Sequence, residues 1–260
     1  MNRLVFLMYH ALYGSEGERA GIDPADRPYA ISVDTFQCHL EWLAQAGIRI
    51  VDPRALLDPP PGGGVVLTFD DGHVSNWEHA YPCLRQRGLT AAFFVTRDFI
   101  DGRPGFCRWP QLREMAENGM LIGSHGCSHG FFDDMDERQA QLELRASRDA
   151  IEQHVGQRVE QMSFPGGRYR SSQIEQGLAM GYRFFHTSRI GAVSLTDLHV
   201  GATIPRIPIR ARTTLAQFGA FARARPLILW RTQAASACKG AARRALGNRF
   251  YLSLYEKRAG

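Results

Sequence analysis

The apolar positions of this chain come in short continuous runs separated by stretches of helical periodicity. Residues 4–9 (Leu-Val-Phe-Leu-Met-Tyr) are apolar throughout, which predicts a short strand buried on both faces. Residues 13–31 are rich in Gly, Pro and charge and predict a loop. Asp34 then reads as an N-cap, and Phe36, Leu40, Leu43 and Ala44 recur at helical spacing until Gly47 stops the helix. A short strand is predicted at 48–51. The run Pro59-Pro60-Pro61-Gly62-Gly63-Gly64 is a hard break before a second buried strand, 65–69. Helices are predicted over 76–87, 110–117 and 136–155, the last carrying Leu142, Leu144, Ala146, Ala150, Ile151 and Val155. Strands are predicted at 91–95, 120–123, 161–164, 183–187 and 204–209. Such alternation predicts an α/β fold with a parallel sheet, and the length suits a barrel. Chemistry in such folds sits at the carboxyl ends of the strands.

Composition changes this picture in one place. Of 260 residues, 44% are apolar and 22% charged, as in an ordinary soluble protein. Residues 210–260 stand apart, with nine Arg and two Lys against one acid, Glu256. The chain is therefore divided at 209 into an α/β domain and a basic, helical extension. That extension could lie on an anionic membrane surface or pack by its apolar face. Nucleic acid is not expected, since no recognised binding motif accompanies the charge. The five cysteines (Cys38, Cys83, Cys107, Cys127, Cys238) include no C-x-x-C, which argues for a reducing compartment. The apolar start lacks the marks of a signal peptide, and no apolar stretch reaches the roughly 20 residues of a spanning helix. The expected location is cytoplasmic, with peripheral contact at the inner membrane surface.

The second buried strand ends in Asp70-Asp71-Gly72. Two adjacent carboxylates repel unless a cation or a shared proton lies beside them. Farther on stand two imidazoles four residues apart, His125 and His129, and the glycines around them predict a loop or short turn. Asp71, His125 and His129 can hold one divalent ion with an open position for water. Zn²⁺ is the first choice, with Co²⁺ or Ni²⁺ as alternatives. Asp70 is left as a general base. His10, at the end of the first strand, is the candidate acid, although alone it reads as an ordinary strand-end histidine. His73 follows the Asp-Asp-Gly directly and could approach the site. Cys127, between the two imidazoles, is expected to point away, buried and inert.

The segments Thr68-Phe69-Asp70-Asp71-Gly72 and His125-Gly126-Cys127-Ser128-His129 resemble the two metal-site signatures of the NodB-type polysaccharide deacetylases, carbohydrate esterase family 4. The resemblance runs from about residue 4 to 209 and implies a distorted (β/α)7-type, TIM-like barrel. It implies Asp70 as base and Asp71, His125 and His129 as metal ligands. Ser163-Phe164-Pro165-Gly166-Gly167-Arg168-Tyr169 is similar to the third motif, the groove wall, so Phe164, Pro165, Gly166, Arg168 and Tyr169 are candidate substrate contacts. Trp109 is a further candidate wall, with core packing as the alternative. Backbone N–H groups of 166–169 are candidate oxyanion donors. The Arg usual at the start of that motif is replaced by Ser163, and Arg206 is the candidate to stand in for it and orient Asp70. Gly126 stands where the family carries Ser or Thr, which removes one substrate-side hydrogen bond. The late Leu-x-Ile-His motif is absent. Leu7-Met8-Tyr9-His10 has its form at the other end, as in permuted members acting on poly-N-acetylglucosamine and other exopolysaccharides, which implies His10 as the acid.

The expected function is metal-dependent removal of N-acetyl groups from amino sugars of a glycan or a lipid-linked saccharide. The alternatives are hydrolysis of another acyl group (O-acetyl, formyl or a cyclic amide) and a non-catalytic glycan-binding module, which the intact ligand set disfavours.

Overall fold

The computed structural model describes residues 2–235. The strands are β1 (Arg3–Tyr9), β2 (Leu12–Tyr13), β3 (Ile31–Ser32), β4 (Gly64–Phe69), β5 (Ala92–Val95), β6 (Leu121–Ser124), β7 (Gln161–Ser163), β8 (Phe184–His186), β9 (Val193–Ser194), β10 (Thr203–Ile204) and β11 (Arg206–Pro208). The α-helices are α1 (Glu16–Gly21), α2 (Val33–Gln45), α3 (Tyr81–Gln86), α4 (Trp109–Glu117), α5 (Glu137–Val155), α6 (Ser171–Ala179) and α7 (Leu215–Ala222).

The main sheet runs β10, β8, β7, β6, β5, β4, β1, β11, all parallel, with β9 antiparallel to the start of β1. β10 and β11 are one pass of the chain interrupted at Pro205, which has no N–H to give a ladder. Before the proline the pass pairs with β8, Thr203 opposite Phe185; after it the pass pairs with β1, Arg206 opposite Phe6. One strand thus faces both edges and brings the sheet almost to closure as a barrel. The first strand lies beside the last, so His10 and Arg206 belong to the same wall.

The side-chain period of two sorts the strands into an outer and an inner face. Val5, Leu7, Tyr9, Val65, Leu67, Phe69, Ile122 and Met162 join the large core shared with Leu144 and Ile151 of α5 and Phe36 and Leu40 of α2. Leu4, Phe6 and Val66 fall into a second cluster on the other face. The inner face also takes Arg206, whose guanidinium lies 5.5 Å from the Phe94 ring, and His186, 4.6 Å from the same ring. Gly123 makes room there, since a Cβ would stand 2.6 Å from Phe94.

Several local expectations are corrected. The cap of α2 is Ser32, whose Oγ accepts from the Thr35 N–H at 3.1 Å; Asp34 sits in the first turn. The 48–51 strand reduces to a bridge between Ile50 and Val65 before Pro53 turns the chain away. The 13–31 loop contains α1, which buries no residue and so leaves no apolar period to read. The 76–87 helix opens as a π-helix over Asn76–Ala80 ahead of Pro82, which lacks one helical donor. Leu142 is 58% exposed on α5, while Leu144, Ile151 and Val155 are buried.

Residues 210–235 return to the barrel. Phe218 of α7 stacks on His39 of α2 with centroids 3.9 Å apart, and Phe221, Ala222 and Leu229 are buried in the large core. A second helical segment runs from 226 to 235. The rest of the basic extension, 236–260, lies outside the described residues.

Candidate active site

Alternation along the strands delivers the site. On β4, Val66 faces inward, and Asp70, in phase with it, follows the strand's last residue. On β1, Leu4 and Phe6 face inward, and His10 is in phase with them. Asp71 then takes a left-handed conformation, φ 74°, followed by Gly72 at φ 84°. This reversal keeps the second carboxylate at the mouth of the barrel. It is strained for a residue with a Cβ, and such strain collects at functional sites.

Asp71, His125 and His129 present ligand atoms that all lie within 4.8 Å of one another. Asp71 Oδ1 is 3.3 Å from His125 Nε2 and 3.2 Å from His129 Nε2. Ligands each about 2 Å from a tetrahedral ion stand roughly 3.3 Å apart. Asp71 Oδ1 is buried and has no hydrogen-bond partner. His125 Nδ1 lies 2.7 Å from the Ser163 carbonyl, which places its proton on Nδ1 and leaves Nε2 with a lone pair toward Asp71. An orphaned carboxylate oxygen and an imidazole tautomer fixed for ligation fit a divalent ion of the zinc type. Burial opposes charge on Asp71, but the two imidazoles outweigh it and hold its carboxyl well below the usual range.

Asp70 is 2% exposed, and Arg206 is fully buried beside it. The guanidinium donates from Nη1 to Asp70 Oδ1 at 2.6 Å and from Nη2 to Oδ2 at 2.7 Å. Its remaining donors go to Ser163 Oγ at 2.7 Å, Thr68 Oγ1 at 3.3 Å and the Thr187 carbonyl at 3.2 Å. Ser163 Oγ also donates to Asp70 Oδ2 at 3.2 Å. Burial would raise the Asp70 pKa; the charge of Arg206 beside it overrides this and brings the group down to about 2. The fork of arginine matches a carboxylate as a lysine could not.

His10 is half-buried, its ring 4.9 Å from that of Tyr29, and its Nδ1 is buried with no partner. It lies close enough to act electrostatically on both Asp70 and Asp71. His73 stands beside this group but outside the ligand set, its Nδ1 2.8 Å from Ser75 Oγ. Cys127 is buried, and burial pushes its thiol up to about 12.

The third-motif segment departs from its expected role. Phe164 is fully buried between Phe132, Phe185 and Tyr169, because the alternation that turns Ser163 inward turns Phe164 out beneath the helices. Pro165 is buried as well. Arg168 is held by Asp133 at 2.9 Å and Asp134 at 2.6 Å, with its guanidinium 4.4 Å from the Phe131 ring. Gly166 is exposed and Tyr169 half-buried, so these two keep an accessible surface. The N–H groups of Gly167 and Arg168 are spent on the carbonyls of Phe164 and Pro165, so neither serves as an oxyanion donor. Trp109 stacks on His154 with centroids 4.7 Å apart and packs against the core.

Two residues near the site left no signal in the sequence. Asp26, in the polar 23–29 turn, acts electrostatically with Asp71, His10 and His129, and burial with the neighbouring carboxylates raises its pKa. Glu143, on α5, reaches the loop between the two histidines.

Residues 58–185 match the family model described as polysaccharide deacetylase. YxkH of Bacillus subtilis (strain 168), assigned by name to that family, is 28% identical over 198 residues, covering 74% of this chain and 67% of YxkH. The poly-beta-1,6-N-acetyl-D-glucosamine N-deacetylase of Escherichia coli (strain K12) is 22% identical over 75% of this chain, which spans only 36% of that enzyme's length. Among solved structures, IcaB from Ammonifex degensii superposes with a TM-score of 0.68 at 25% identity, covering 86% of this chain and 97% of IcaB. The Streptococcus pyogenes deacetylase PplD superposes with a TM-score of 0.71 at 23% identity, covering 82% and 94%. The chain carries a polysaccharide deacetylase domain of the NodB type, carbohydrate esterase family 4, related to the poly-N-acetylglucosamine deacetylase branch. The barrel expected from the strand pattern is the fold of these neighbours.

Proposed function

We propose that this protein is a divalent-metal-dependent hydrolase that removes N-acetyl groups from amino sugars of a glycan. One observation carries the reading: Asp71, His125 and His129 converge as a ligand set immediately beside an Asp70 that Arg206 holds by both oxygens. The named relatives supply the substrate class, since one of them is an N-acetylglucosamine polymer deacetylase.

A divalent ion held by Asp71, His125 and His129 would polarise the acyl carbonyl and acidify a water molecule. Asp70 is ionised at neutral pH, so its carboxylate is ready to accept the proton of the attacking water. Arg206 and Ser163 fix its orientation, which removes reorganisation from that transfer. His10, across the mouth on the neighbouring strand, supplies a proton to the departing amine nitrogen. Tyr169 and Gly166 offer the accessible surface against which a sugar ring can rest.

The test is acetate release from N-acetylglucosamine oligomers and lipid-linked amino sugars, with and without a chelator. Release that the chelator stops and Zn²⁺ restores supports the reading. Release that a chelator leaves untouched contradicts it, as does release only from O-acetylated or formylated substrates.

We also propose that the basic extension contacts an anionic membrane surface at the inner face. Arg223, Arg225 and Arg231 are exposed beside Leu227 and Trp230, and no helix among the described residues is long and apolar enough to cross a membrane. Flotation with anionic liposomes that deletion of 236–260 together with Trp230→Ser leaves unchanged would remove this idea.

A further inference from the structure

The loop that carries both imidazoles, residues 125–130, is neither helix nor strand, so its backbone groups need partners from elsewhere. Its carbonyls find them on the 97–98 turn: the N–H of Arg97 donates to the Gly126 carbonyl and that of Asp98 to the Cys127 carbonyl, both at 3.0 Å. The N–H of His125 donates to the Val95 carbonyl and that of Gly126 to Ser124 Oγ, while two others find their partner on α5. Glu143 Oε2 accepts from Cys127 N–H at 2.6 Å and from Ser128 N–H at 3.1 Å, while Oε1 accepts from the Ser128 hydroxyl at 2.6 Å. The Ser128 hydroxyl in turn accepts from Gly130 N–H at 3.2 Å. One carboxylate thus gathers three donors from two of the three residues that lie between His125 and His129.

Gly126 belongs to the same arrangement. It has φ 79°, and a Cβ there would stand 3.0 Å from Glu143 Oε2. A Ser or Thr at 126 would be strained by that φ and would press on Phe132 and on the carboxylate that holds the loop.

We infer that Glu143 is the positioning residue of the metal site, fixing the loop so that His125 and His129 keep their common focus on Asp71. Glu143 touches neither a metal ligand's ring nor the reacting atoms; it acts through the backbone. This inference rests on the metal-site reading above. Outer-shell partners of this kind are worth about 10- to 100-fold in metal affinity.

The experiment is a Zn²⁺ titration of the full chain against a chromophoric chelator, with Co²⁺ absorption spectra as a second readout of ligand geometry. Glu143→Ala weakens Zn²⁺ at least about 10-fold and alters the Co²⁺ spectrum. Glu143→Gln, which keeps one acceptor oxygen, falls between it and the wild type. Gly126→Ala weakens Zn²⁺ by a larger factor with Glu143 present than in the Glu143→Ala background. If Glu143→Ala binds Zn²⁺ as the wild type does, the inference is wrong while the proposed function stands. If it does not fold, Glu143→Gln is titrated in its place, and Zn²⁺ affinity and a Co²⁺ spectrum equal to those of the wild type overturn the inference. A wild-type chain that binds no Zn²⁺ overturns the metal-site reading and this inference with it.

Discussion

Arg206 reaches Asp70 across 136 residues of sequence and grips both of its oxygens inside the barrel. The pairing exists because the strand that carries Arg206 is the one that brings the barrel almost to closure against β1. Fold closure and orientation of the candidate base are therefore one structural event. Arg206→Met leaves a buried carboxylate without its partner, which should cost about 3–5 kcal/mol of stability. Arg206→Lys restores a charge without the fork, so stability returns in part while turnover stays depressed. Urea unfolding and kcat measured together check this; two variants within about 0.5 kcal/mol of wild type would contradict it.

The site was legible in the sequence where it is local. Asp70 and Asp71 close an apolar strand, and His125 and His129 stand four residues apart, so four residues suffice to suggest a metal. Arg206 could be picked only as a substitute for an arginine missing elsewhere, since its meeting with Asp70 depends on barrel register. Glu143 was invisible because a glutamate on the polar side of a helix is the commonest of residues. The sequence around Phe164 suggests a groove wall because it does not show parity: in a parallel barrel covered by helices, the position after an inward Ser163 is also buried. The helices α2, α4 and α5 lie within a few residues of the bounds their periodicity predicts, but α6 has no predicted counterpart, and α1, which buries no residue, leaves no pattern to find.

Acid should destabilise the fold through His39. Its ring is 1% exposed, stacked on Phe218, with Nδ1 3.2 Å from the Tyr9 hydroxyl. Burial lowers its pKa from 6.5 to about 4. Between those values the unfolded chain binds a proton that the folded chain refuses, so stability is complete above pH 6.5 and falls as pH drops toward 4. The full difference is about 3 kcal/mol. His186, fully buried and also lowered, acts in the same direction. Unfolding free energies from pH 7 to 4.5 should fall less steeply for His39→Leu than for wild type; parallel curves would contradict the assignment.

The thiols should sort by burial. Cys38 is exposed, whereas burial pushes both Cys107 and Cys127 up to about 12. Iodoacetamide on the native protein at pH 8 should label Cys38 and leave Cys107 and Cys127 intact by peptide mass mapping. Rapid native labelling of Cys127 would show that the loop between the two imidazoles opens.

The central claim is that Asp70 is the base of a metal-dependent deacetylation. It is tested most directly by acetate release from N-acetylglucosamine oligomers by wild type and Asp70→Asn, each with its bound Zn²⁺ quantified. The account predicts similar metal content and a loss of turnover in Asp70→Asn of about 10²- to 10⁴-fold. Equal turnover at equal metal content would contradict it.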